Sequence, residues 1–234
     1  LWKGYGDITE ILTEDVIITS SIVFGGKMTA KSESVKLFTD KAELASAVVT
    51  EISSLDEAYK YTMDLCGKKE ACKLLVSGCE QNLSNEAEKL CATKTGKTLA
   101  APALTKKEFA TLDKQCEENG FSLIKDSVRN HLGGIDIAFS YADRGIAETG
   151  TIVLNCPSEE LRLATMVSEF HVAVLPKSKI VANSYDLESW MEGNMMKGNY
   201  TAFITGPSRT ADIERVLAIG VHGPLELHIL LLED

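Results

Sequence analysis

The stretch Gly206-Pro-Ser-Arg-Thr-Ala-Asp-Ile-Glu-Arg-Val-Leu-Ala-Ile-Gly-Val-His-Gly-Pro224 decides how the chain is read. Residues 202–205 before it (Ala-Phe-Ile-Thr) are short and apolar and predict a buried strand. Gly206 and Pro207 break that strand. Ser208 or Thr210 can cap a short helix, and Asp212 and Glu214 stand where negative charge favours a helix start. Gly220, Gly223 and Pro224 end the segment, and residues 225–232 resume as an apolar strand. A strand, a tight polar turn and a helix start would gather backbone N–H groups and Arg209 at one point, a geometry suited to a phosphate or carboxylate. The alternative is that Ser208 and Thr210 only cap the helix, with Asp212 already answering its dipole.

Outward from this stretch, strands and helices alternate. Residues 121–124, 135–141, 151–155, 172–175 and 225–232 predict short apolar strands, with the start of a helix as the alternative for 121–124, and residues 158–170 and 186–196 predict helices. That alternation implies an α/β fold with a largely parallel sheet. In such sheets ligands bind outside the carboxyl ends of strands, where Asp143, Arg144 and residues 206–210 fall. Gly-x-Gly-x-x-Gly and P-loop patterns are absent.

The first half reads differently. Residues 40–52 predict a helix, because Asp40 with Glu43 makes a capping-box pattern and Leu44, Val48 and Ile52 share a face. Residues 57–66 and 86–92 predict further helices, and residues 96–102 a loop. Thr105 with Glu108 opens another helix, which Gly120 ends. Residues 16–24 are apolar and β-branched enough for a strand. The expected organisation is residues 1–27 as a segment that is either native or foreign to the fold, residues 28–120 as a mainly helical region, and residues 121–234 as an α/β core. The last two are expected to form one domain.

Three ordered motifs carry a resemblance. These are Gly206 to Glu214 with Gly220-Val-His-Gly-Pro224 and Glu226-Leu-His228; Ala142-Asp143 with Gly145-Ile-Ala-Glu-Thr-Gly-Thr151; and His171-Val-Ala-Val-Leu-Pro-Lys-Ser-Lys-Ile-Val181. Together they resemble the LUD-domain family of lactate-utilization proteins, while the first hundred or so residues match it only loosely. The resemblance implies the broad fold of ribose-5-phosphate isomerase and the CoA-transferases, an open, Rossmann-like sheet. It also implies a part in oxidising lactate to pyruvate, beside companion subunits that carry iron–sulfur clusters.

Glu148, on a Gly-flanked turn, reads as a general base or ligand contact, or else as an acceptor that fixes the turn. Thr149, Gly150 and Thr151 would share its ligand, and Lys177 could neutralise an anion. His222, between glycines beside the Arg209 loop, is the acid–base candidate among the histidines. His228 reads as structural, His171 as the start of an apolar strand, and His131 as exposed. Asp143 and Arg144 read as a cleft-rim pair or a solvated surface pair. Ser208, Arg209 and Thr210 complete the candidate anion site. No Ser–His–Asp arrangement is supported.

Composition narrows the function. The chain has 234 residues and a net charge of −10, which argues against a nucleic-acid surface. No apolar run reaches membrane-spanning length, and charged residues interrupt every early apolar run, so a cytoplasmic protein is expected. The six cysteines, Cys66, Cys72, Cys79, Cys91, Cys116 and Cys156, show no Cys-x-x-Cys spacing, so reduced thiols and no metal or cofactor are expected. Two readings remain. One is an accessory subunit of an iron–sulfur lactate-oxidising system with an anion-binding cleft. The other is a free-standing enzyme acting on an acyl, CoA or sugar-phosphate substrate.

Overall fold

The computed structural model describes residues 30–71, 96–131, 134–210, 218–219 and 223–234. Helix α1 (Ala30–Leu44) turns through Ser46, at φ 66°, into strand β1 (Val48–Ile52). Helix α2 (Leu55–Lys68) starts at Ser54, whose side chain accepts from the Glu57 N–H, and Asp56 and Glu57 complement the dipole of its first turn. Its residues Ala58, Tyr59, Thr62, Met63 and Cys66 recur at helical spacing and are buried. Then follow β2 (Thr98–Ala100), α3 (Lys106–Glu118), β3 (Ser122–Ile124) and β4 (Ile135–Tyr141). Strands β5 (Arg144–Ile146) and β6 (Thr151–Cys156) precede α4 (Glu159–Val167), β7 (Ser168–Pro176) and β8 (Ile180–Val181). The chain closes with α5 (Glu188–Met195), β9 (Tyr200–Ile204), β10 (Arg209–Thr210), β11 (Ala218–Ile219) and β12 (Glu226–Leu232).

Six strands form one sheet in the order β1-β12-β7-β4-β2-β3, and every neighbouring pair is parallel. This is an α/β, Rossmann-like arrangement. Both faces are covered, which explains unbroken apolar runs such as residues 229–232. On one face Ile137, Phe139, Val172, Val174 and Leu230 pack with Tyr59 and Met63 of α2 and Leu112 of α3. On the other, Ala173, Leu175, Leu227, Ile229 and Leu231 pack with Phe38 and Ala42 of α1 and Ile152 and Leu154 of β6. A second sheet, β8-β5-β6-β9, is antiparallel at β5–β6 and β6–β9 and lies over that face.

Several expectations are corrected. Residues 40–52 are not one helix: α1 ends at Leu44, and Val48 onward is extended because it pairs with β12. Residues 96–102 are not a plain loop, since Thr98–Ala100 inserts between β3 and β4. The helix expected over 158–170 ends at Val167, because β7 begins at Ser168 and pairs with β4. Residues 151–156 and 200–204 are strands of the smaller sheet, not of the parallel one. Helix formation does not start at Ser208, because Arg209–Thr210 pairs antiparallel with Ala218–Ile219. The strand expected over 16–24 and the helix expected over 86–92 lie outside the described residues. No helix among the described residues is long and apolar enough to cross a membrane.

Candidate functional site

Two motif loops converge on the C-terminal end of α1. The first is the β5–β6 turn. Its Gly150 has φ +65°, and a Cβ there would lie 2.2 Å from the Ala42 nitrogen. The second follows β9. Its Gly206 has φ +70°, and a Cβ there would lie 2.1 Å from the Ala45 carbonyl oxygen. Each glycine is therefore required twice, by its left-handed backbone and by helix backbone pressed against it. A chain of hydroxyls joins the loops: Thr149 and Thr151 are 2.7 Å apart at Oγ1, and Thr151 and Thr205 are 2.6 Å apart.

The candidate residues divide around this junction. Glu148 Oε1 accepts from the Ser184 N–H at 2.9 Å, and the Glu148 N–H donates to the Ala182 carbonyl at 3.1 Å, so the residue ties its turn to the segment after β8. The Arg209 guanidinium donates to the Ala45 carbonyl, placing a cation at the carbonyl end of α1. The Ser208 N–H donates to the Pro224 carbonyl at 2.9 Å, which closes the base of the loop. Lys177 is elsewhere, beyond the carboxyl end of β7, where Glu51 at 2.9 Å and Glu233 at 3.3 Å hold its ammonium above its ordinary pKa. His222 and the Thr210 side chain lie outside the described residues. Asp143 accepts from the Asn155 N–H at 2.8 Å, while Arg144 donates to the Asp143 backbone carbonyl and stacks on Trp190.

Thr205, Gly206, Pro207 and Ser208 form one wall of a cleft of about 320 Å³. Arg162 and Met166 of α4 line it too, as do His171 and Leu227 of the parallel sheet. The Arg162 guanidinium lies 5.5 Å from the Tyr200 ring centroid and 3.3 Å from Glu159. His171 is 1% exposed; its Nε2 is 2.8 Å from Ser140 Oγ, and its Nδ1 has no hydrogen-bond partner. Burial, helped by His228, lowers its pKa to about 4, so the ring is neutral near pH 7. Sequence reasoning does not join Arg162, His171 and Ser140 into one site. The available signal is a serine and a histidine at core positions of otherwise apolar strands.

On the sheet's other face, His228 Nδ1 is 2.8 Å from the Tyr61 hydroxyl and its Nε2 2.8 Å from Glu226. That histidine is buried and fully engaged. Among the described residues no group of three His, Cys, Asp or Glu side chains could hold a metal ion. Cys66, Cys116 and Cys156 are buried free thiols, with burial raising Cys116 to about 12 and Cys156 to about 11. Cys72, Cys79 and Cys91 lie outside the described residues.

The fold and the sequence both agree with the comparisons to known proteins. The LUD domain family matches residues 35–232, and the chain belongs to that family. It is similar to lactate utilization protein C of Halalkalibacterium halodurans, 33% identical over 103 residues, covering 42% of this chain and 45% of that protein. The corresponding protein of Geobacillus kaustophilus is 32% identical over 103 residues, 42% of this chain and 43% of that one. An uncharacterized protein of Neisseria meningitidis is 40% identical over 99 residues, 41% and 42% of the two chains. The matched stretch thus spans less than half the length of these relatives. The crystal structure of a DUF162 family protein from Deinococcus radiodurans superposes with a TM-score of 0.56 at 16% identity, covering 88% of this chain and 99% of that one.

Proposed function

We propose that this protein is an accessory subunit of a system that oxidises lactate to pyruvate, working beside partners that carry the iron–sulfur clusters. The cleft between α4 and the Thr205–Ser208 loop holds a small organic anion in that role. The observation that carries the reading is the cleft itself, in which a guanidinium, hydroxyls and a neutral buried imidazole line one cavity. Ser208 and Thr205 supply donors, Arg162 supplies charge, and Thr149, Gly150 and Thr151 support the loop. Glu148 fixes its turn to the segment after β8 and Arg209 fixes its loop to the end of α1, and His222 remains the acid–base candidate that the sequence offers. Lys177, held by two carboxylates at the sheet's carboxyl edge, is not needed for this site.

Tagged protein recovered from lactate-grown cells of its source should co-purify with iron-bearing partners and be depleted of them when cells grow on glucose. Calorimetric titration of the purified chain with lactate, pyruvate, phosphate and CoA tests the cleft separately. Recovery of the chain alone under both growth conditions, with no iron in the eluate, would overturn the subunit reading. Turnover of an acyl, CoA or sugar-phosphate substrate by the isolated chain would favour the free-standing enzyme instead.

A further inference from the structure

Two large apolar side chains stand half-exposed at the same cleft: Met166 at 50% and Tyr200 at 51%. Large apolar groups gathered around one concavity mark a surface that something covers. The cleft volume of about 320 Å³ falls inside the range of roughly 300–1,000 Å³ typical of sites for drug-sized organic ligands, well beyond the needs of a three-carbon acid. The guanidinium lining it among the described residues, Arg162, lies over the Tyr200 ring at 5.5 Å, with Glu159 at 3.3 Å. A guanidinium on an aromatic ring presents a flat cationic platform to the cleft. Leu227 and Met166 line the same cleft, as do Thr205 and Ser208 of the loop after β9.

We infer that the cleft binds an aromatic organic anion: a flat ring bearing one carboxylate, sulfonate or phosphate, of about mononucleotide size. The ring packs against Met166 and the Tyr200–Arg162 platform. The anionic group takes the guanidinium and the loop hydroxyls. This deepens the anion-cleft reading given above and rests on it, but it excludes lactate itself as the main occupant.

The test uses 1-anilinonaphthalene-8-sulfonate as a fluorescent probe, titrated into the whole chain. Adenosine monophosphate, salicylate, lactate and inorganic phosphate serve as competitors. A single saturable site is expected, displaced by the nucleotide or by salicylate at concentrations where lactate and phosphate have no effect. Which aromatic anion competes better tells a phosphate-bearing from a carboxylate-bearing ligand. Arg162→Gln should weaken the probe about tenfold, the loss expected for one charge-assisted contact. Met166→Glu, at an exposed position, should abolish binding by placing a like charge in the cleft. Tyr185→Ala, 87% exposed and not part of the cleft lining, should leave binding unchanged. Thermal melts confirm that each variant is folded. Folded Arg162→Gln and Met166→Glu proteins that titrate like the parent would overturn the inference. Displacement by lactate or phosphate as effective as by the aromatic anions would overturn it while sparing the anion-cleft reading. Absence of any probe binding would overturn both, leaving the subunit reading to the co-purification.

Discussion

Gly150 and Gly206 show how single residues admit the fold. Both have positive φ, and both face helix backbone too close for any Cβ. Gly150→Ala should destabilise by about 2–5 kcal/mol, combining left-handed strain with overpacking that the backbone of α1 cannot relieve. Gly206→Ala should cost a similar amount. Gly67, near the end of α2, is the opposite case: a Cβ added there would meet nothing within 4 Å. Gly67→Ala should therefore stabilise by about 0.5–1 kcal/mol. Urea melts of the three variants check the contrast, and equal effects at all three sites would contradict it. Arg209 belongs at this scale too. With its guanidinium on the Ala45 carbonyl, Arg209→Ala should lower the melting temperature.

At the level of elements, caps and buried ion pairs fix where helices meet the sheet. Helix α3 begins in a capping box, with Thr105 accepting from the Glu108 N–H and Glu108 accepting from the Thr105 N–H at 2.8 Å. Glu108 also accepts from the Tyr141 hydroxyl at 3.1 Å, so the cap joins α3 to the end of β4. Thr105→Ala should cost about 1 kcal/mol, measured by denaturant midpoint. A larger cost is expected where α2 ends. Lys69 Nζ is 2.8 Å from the fully buried Asp136 and 2.7 Å from Glu169, while Asp136 also accepts from the Thr98 N–H at 2.7 Å. This cluster ties α2 to the starts of β2, β4 and β7. Lys69→Met should lose roughly 3–5 kcal/mol, because it strands a buried carboxylate rather than because the pair is intrinsically strong. Lys69→Met with Asp136→Asn should recover part of that loss; a double variant no better than the single one would refute this account.

For the molecule as a whole, buried histidines set the response to mild acid. His171 has a folded-state pKa of about 4 against an ordinary value of 6.5, with burial the main cause. The native state therefore excludes a proton that the unfolded chain accepts. The contribution is complete above pH 6.5 and is lost as pH falls from 6.5 towards 4, by up to roughly 3 kcal/mol. His228 shifts in the same direction through burial, partly offset by Glu226. Folding free energy measured from about pH 7.5 to about pH 5 should fall, and His171→Gln should flatten that slope. An unchanged slope in the variant would rule out His171 as its source.

Much of this molecule is legible along the chain: the alternation of strand and helix in residues 121–234, the capping box at Thr105 and the breaks at Gly206 and Gly150. These are local properties, namely apolar periodicity, φ preference and a side chain within reach of its own backbone. The motifs by which the LUD domain is recognised are legible in the same way. Tertiary packing settles what local preference leaves open. Val48–Ile52 carries apolar residues at helical spacing, yet it is a strand because β12 offers a parallel partner. Thr98–Ala100 is too short to announce itself and exists only between β3 and β4. Sheet membership of β6 and β9 is a matter of pairing, which sequence spacing does not encode. The cleft arises the same way: Arg162, His171 and Ser208 are distant along the chain, and only the packing of α4 and the post-β9 loop over the parallel sheet brings them to one cavity.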